Sequence, residues 1–92
     1  MKQFVVIAYD IADDRRRQKI AKLLVQFGVR CNESVFECVL TQPKIQKMLQ
    51  QLNKLANEQE DSILIYYLCK PCVMKRETIG QRPQPLSEIV MI

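Results

Sequence analysis

Ninety-two residues make one domain, and a chain of that length buries roughly 60–65% of the surface its unfolded form exposes, so its core is thin. Hydrophobic residues make up 48% of the chain and only two Gly and four Pro are present, which excludes disordered and collagen-like classes. Lys and Arg outnumber Asp and Glu by 14 to 10, a net charge of +4 that favours polyanions where the cations cluster, and with no histidine any acid–base chemistry falls to carboxylates or a metal.

Residues 2–9, KQFVVIAY, carry β-branched and aromatic side chains on both faces and read as a central strand covered on both sides. Asp13 or Asp14 can cap a helix running to Phe27, with Ile20, Leu23, Leu24 and Phe27 at i, i+3, i+4 and i+7 and Gly28 as its stop. Residues 29–40 return to strand chemistry, with Ser34, Phe36, Cys38 and Leu40 on one face and Val35, Glu37 and Val39 on the other. A hairpin turning near Asn32 divides them, without an Asn-Gly or Asp-Gly to mark the place. Thr41 and Pro43 open a second helix whose stripe is Ile45, Met48, Leu49, Leu52 and Leu55. Residues 62–69, SILIYYLC, form another strand that is apolar on both faces.

Strand, helix, strand pair, helix, strand is a split βαβ pattern, and it predicts an α+β, ferredoxin-like βαββαβ sandwich over residues 1–80. Both helices then cover one face of an antiparallel sheet. The other face would be a large apolar patch in water, so a second copy is its simplest cover and the chain is expected to be a homodimer. Residues 81–92 are expected to pack on that dimer as an extension. Its wholly apolar end, Ile89-Val90-Met91-Ile92, together with Thr78 to Gly80, suggests an additional C-terminal strand at a sheet edge.

The apolar run Phe4 to Tyr9 is too short for a signal peptide, and Ile63 to Cys69 is far short of the roughly 20 residues that cross a bilayer. The expectation is a cytoplasmic protein with no membrane partner. Of the four cysteines only Cys69 and Cys72 form a close pair, whereas Cys31 and Cys38 stand six residues apart, which does not suit a structural zinc site. They read as ordinary thiols.

Asp10 stands at the carboxyl end of the first strand, too early to cap the following helix, in a position where loop residues face a cleft. One carboxylate is little for Mg2+, which needs octahedral oxygen ligation; a twofold axis would add a second Asp10. Arg15-Arg16-Arg17 with Lys19 and Lys22 is the strongest charge cluster, and arginine forks onto phosphates. Arg30, Lys70, Lys75, Arg76 and Arg82 add a second basic group. Tyr9 and Phe36 carry rings near the same loop, as core or as stacking surfaces for a base.

Val6-Ile7-Ala8-Tyr9-Asp10-Ile11, Asp13-Asp14-Arg15-Arg16-Arg17, Gly28-Val29-Arg30 and Ser34-Val35-Phe36-Glu37 together resemble the second of the CRISPR-associated (Cas) protein families, over almost the whole chain. That resemblance implies a ferredoxin-like homodimer, a magnesium-dependent endonuclease that joins the CRISPR integrase in acquiring spacers from invading DNA. It implies a catalytic and metal-ligand role for Asp10, supporting positions for Tyr9, Arg17, Arg30 and Phe36, and nucleic-acid backbone contacts for Arg15 and Arg16. Some members carry arginine where this chain has Lys19, which keeps the charge and gives up the planar fork. Double-stranded DNA and single-stranded RNA both stand as substrates on this reading. A DNA scaffold without catalysis needs the basic surface but not Asp10.

Three other classes compete. An RNA-recognition module would show an aromatic-rich third strand, which Ser34 to Val39 lacks. A metal chaperone would hold its Cys-x-x-Cys where the first strand meets the first helix, and aspartates and arginines stand there instead. A ferredoxin-like toxin ribonuclease would keep the acidic residue at the end of the first strand.

Overall fold

The computed structural model describes residues 1–80. In chain order they form β1 (Lys2–Asp10), α1 (Asp14–Val25), β2 (Gly28–Asn32), β3 (Val35–Thr41), α2 (Gln42–Leu55), β4 (Ser62–Leu68) and α3 (Lys70–Met74). The four strands make one sheet in the order β2-β3-β1-β4, with every neighbouring pair antiparallel. This is the ferredoxin-like βαββαβ order, and it places β1 in the middle, as its two-sided apolar sequence requires.

Alternation along β1 sends Val5, Ile7 and Tyr9 to one face, where they meet Ile20 and Leu24 of α1, Phe36, Cys38 and Leu40 of β3, and Ile45, Met48 and Leu52 of α2. Each large side chain fully buried here contributes about 1.5–3 kcal/mol. The i, i+3, i+4 stripes of the two helices are the reason both settle on this face.

α1 starts where expected, with Asp13 as N-cap accepting a hydrogen bond from the Arg16 backbone N–H at 2.9 Å. Its end differs from the expectation. The helix closes at Gln26, and Gly28 is the first residue of β2 with no left-handed backbone. A Cβ at Gly28 would run into the Glu37 carbonyl oxygen and the Cys38 sulfur, so the glycine serves the close approach of β2 to β3. The hairpin turns at Glu33 and Ser34, with a register shift between Arg30 and Asn32. No non-glycine residue described has positive φ, so this is not the Asn-Gly type of turn, and the sequence offered no marker for it.

The face opposite the helices carries Phe4, Val6, Val39 and Leu68, and it is less bare than expected. Cys69 caps α3, a helix the sequence reading passed over even though Pro71 in its first turn is a start signal. α3 lays Val73 (5% exposed) on Phe4. The chain beyond it brings Arg76 to Glu37, whose carboxylate accepts from Arg76 Nε at 2.9 Å and from Cys31 Sγ at 2.5 Å. Towards the β4 edge the face stays open, with Leu64 and Tyr66 51% and 53% exposed. Thr78 to Gly80 form no strand, so among the described residues the sheet has no fifth strand. The extension 81–92, with Arg82 and Ile89 to Ile92, lies outside the described residues.

Candidate nucleic-acid interface

β1 ends at Asp10, whose carboxylate is exposed and makes no hydrogen bond or ion pair among the described residues. The neighbouring acids are spent locally: Asp13 caps α1 and Asp14 pairs with Arg17. Ile11 turns inward at 2% exposure, which anchors the loop and leaves Asp10 at the sheet's end. In the alternation of β1, Asp10 follows Val6 and Ala8 onto the face that the helices leave uncovered.

The three consecutive arginines go to three different places, because successive residues of a helix point about 100° apart. Arg15 is exposed and bonds to nothing among the described residues. Arg16 reaches to the loop before β4, donating from Nε to Asp61 Oδ2 at 2.6 Å, with Asp61 Oδ1 at 3.0 Å and Glu60 Oε2 at 3.3 Å accepting from Nη2. The Asp61 side chain is wholly shielded from solvent, and Arg16, then the Asn57 and Ala12 backbone N–H groups, hold its carboxyl well below the usual carboxylate range. Arg16 is therefore engaged in holding α1 to the β4 loop. Arg17 turns back across the loop and donates to the Ile11 carbonyl at 3.0 Å.

Arg30 projects from β2 beside it. Its guanidinium carbon lies 5.7 Å from the centroid of the Phe36 ring, and it donates to the Glu33 carbonyl at 2.5 Å and the Asn32 carbonyl at 3.3 Å. The Tyr9 hydroxyl donates to the same Glu33 carbonyl at 2.9 Å, and the Tyr9 and Phe36 rings stack at 6.3 Å and 24°. Phe36 has no exposed surface and Tyr9 has 5%. Stacking on a base is closed to Phe36; these rings are the floor that holds Arg30.

An open cleft of about 720 Å3 is lined by Tyr9, Asp10, Arg17, Lys22, Arg30 and Glu33, among others. It brings together Tyr9, Asp10, Arg17 and Arg30 from the sequence-derived set. Arg15, Arg16, Lys19 and Phe36 are not among its lining residues. Lys22 of the sequence's charge cluster lines the cleft as well, and Glu33 joins the site, which only the fold-back of β2 against α1 shows. Arg76 is likewise paired, with Glu37, whereas Lys70 and Lys75 of the second basic group are exposed, as Arg30 is.

No group of three or more His, Cys, Asp or Glu side chains converges among the described residues. Asp10 suits a hard cation in donor type, as an exposed, unengaged carboxylate, but one chain provides too few ligands for a closed site. No helix of the described residues is long and apolar enough to cross a membrane.

Residues 1–76 match the family model described as CRISPR associated protein Cas2. A CRISPR-associated endoribonuclease Cas2 from Chloroflexus aurantiacus is 48% identical over 83 residues, covering 89% of each chain. The crystal structure of Streptococcus pyogenes Cas2 aligns with a TM-score of 0.76 and 33% identity over 84% of this chain and 99% of that one. A chain of a partial Cas6-RT-Cas1–Cas2 complex aligns with a TM-score of 0.70 and 29% identity over 89% of this chain and 96% of that one. With the ferredoxin-like sheet and the strand-end aspartate already in place, these likenesses show that the chain belongs to the CRISPR-associated Cas2 family.

Proposed function

We propose that the chain serves in CRISPR spacer acquisition as the small subunit that works with an integrase partner, gripping duplex DNA by its phosphates. The observation that carries the reading is the cleft at the end of β1, where Asp10 shares one rim with Arg17, Arg30 and Lys22. Arg17 and Arg30 are held by backbone carbonyls and, for Arg30, by an aromatic floor. Pre-positioned guanidinium groups lose little freedom on meeting a phosphate, and contacts of this kind orient a duplex without reading its sequence. A neighbour solved within a Cas1-containing complex supports the integrase partner.

Two copies meeting over the uncovered face would bring two Asp10 carboxylates near a common axis. In that arrangement Asp10 and a second copy's Asp10 would hold Mg2+. When bound, the ion supplies polarisation of a phosphate oxygen and a water of lowered pKa, the chemistry of a phosphodiesterase. The relatives' name, endoribonuclease, supports an activity of that class, with RNA as its substrate. A scaffold without catalysis is the second reading, favoured by the single unengaged carboxylate that each chain brings to the cleft.

The two readings part at Asp10→Ala. Nuclease assays on wild type and variant, with magnesium and with chelator, accompany duplex-binding and acquisition assays. The account expects magnesium-dependent cleavage in wild type alone, and duplex binding and acquisition in both. Loss of acquisition in Asp10→Ala would overturn the reading of the basic cleft as a scaffold that works without Asp10, and cleavage surviving in the variant would remove Asp10 from the chemistry.

A further inference from the structure

The β4–α3 junction holds a pair of thiols that the basic cleft does not use. Cys69 is the residue that caps α3 and Cys72 lies one turn on, with their sulfurs 3.1 Å apart and both residues exposed. The other two cysteines are built differently. Cys38 is wholly buried, and burial pushes its thiol up to about 12. Cys31 is half-buried, bonded to Glu37, and burial pushes it up to about 11. A thiolate is the reacting form, so those two are held inert.

We propose that Cys69 and Cys72 are a reversible dithiol–disulfide couple that exchanges with small-molecule disulfides of the glutathione class. Cys69 is the attacking sulfur, because its contact with the Cys72 thiol and then the Cys72 backbone N–H lower its pKa, while the Cys69 thiol beside it raises that of Cys72. The Cys69 thiolate attacks one sulfur of the oxidant, the oxidant's S–S bond breaks, and a thiolate leaves and takes up a proton. Cys72 then gives up its proton and attacks Cys69 Sγ in the mixed disulfide, expelling the second thiolate. The chain loses two electrons and two protons, and one disulfide becomes two thiols. The sulfurs need to approach by only about 1 Å to reach bonding distance. The ring so closed sits where β4 passes into the segment that lays Val73 on Phe4 and Arg76 on Glu37.

The test equilibrates the full chain with set ratios of reduced and oxidised glutathione in the presence of a chelator, quenches with acid, alkylates with N-ethylmaleimide and maps tryptic peptides by mass. Pro71 protects the Lys70 bond from trypsin, so both cysteines travel in one peptide. As oxidised glutathione rises, that peptide is expected to lose both alkylation sites together and the mass of two hydrogens, and dithiothreitol to restore it. In Cys72→Ser a glutathione adduct accumulates on Cys69, whereas Cys69→Ser leaves Cys72 largely unmodified. Alkylation of both thiols at every ratio, or a lasting glutathione adduct on wild-type Cys69, would overturn the proposal.

Discussion

Arg16 and Asp61, 45 residues apart in sequence, form a two-pronged ion pair, Nε to Oδ2 at 2.6 Å and Nη2 to Oδ1 at 3.0 Å, that ties the first turn of α1 to the loop leading into β4. Asp61 also accepts from the Ala12 and Asn57 backbone N–H groups, at 3.0 and 2.8 Å. One carboxylate thus satisfies three parts of the chain, and the middle arginine of the basic run is structural. Arg16→Ala is expected to lower the urea midpoint of unfolding and Arg15→Ala to leave it unchanged, since Arg15 bonds to nothing among the described residues. Equal midpoints for the two variants would contradict this.

The same pair sets an acid dependence. Asp61's carboxyl lies below its ordinary value of 3.8 in the folded chain because of Arg16 first and the backbone donors after it. A depressed carboxylate contributes stability that is fully present above its unfolded value and is lost as pH falls through the folded one. Stability should therefore be level in this respect down to about pH 4 and decline with further acidification. Asp61→Asn should be less stable at neutral pH and lose stability less steeply in acid. A parallel pH profile for wild type and Asp61→Asn would contradict it.

Gly28 tests the close approach of β2 to β3. An added methyl meets the Glu37 carbonyl and the Cys38 sulfur, neither of which can swing aside, since one is backbone and the other is fully buried. Gly28→Ala should destabilise the fold by about 1–3 kcal/mol, the usual range for overpacking. An unchanged unfolding midpoint would show that β2 can move away.

Where side-chain period alone decides structure, the sequence was sufficient. The two-sided apolar run of β1 named the central strand, and the stripes at Ile20, Leu24 and at Ile45, Met48, Leu52 named the helices and the face they cover. Contacts between distant segments were not legible in that way. Nothing local distinguishes Arg16 from Arg17, and Asp61 becomes Arg16's partner only once β4 lies beside β1. Gly28 looked like a helix stop because glycine after a helical stripe usually is one; here the constraint came from a strand. α3 was missed because a five-residue helix carries too few turns to show a period. At the cleft, Asp10 was legible from its place at a strand end, whereas Arg30's bed on Phe36 needed the β2–β3 register.

Arg17 and Arg30 should dominate the electrostatics of nucleic-acid binding. Each phosphate contact contributes about 0.9 to the slope of log affinity against log salt for a duplex. Replacing both by alanine should weaken duplex binding for every sequence alike and shallow that slope by about 2. Filter binding across a salt series measures it. A slope equal to that of wild type would move the interface away from the cleft.

The proposed pairing of the strand-end carboxylates depends on a second molecule seated on Leu64 and Tyr66, which are half exposed on the part of the sheet face that α3 leaves open. Sedimentation equilibrium of the full chain, alongside Leu64→Lys with Tyr66→Lys, addresses that dependence. The expected result is a dimer for wild type and a folded monomer for the double variant. A wild-type chain that sediments as a folded monomer at the highest attainable concentration would contradict it, and with it the shared Asp10 site.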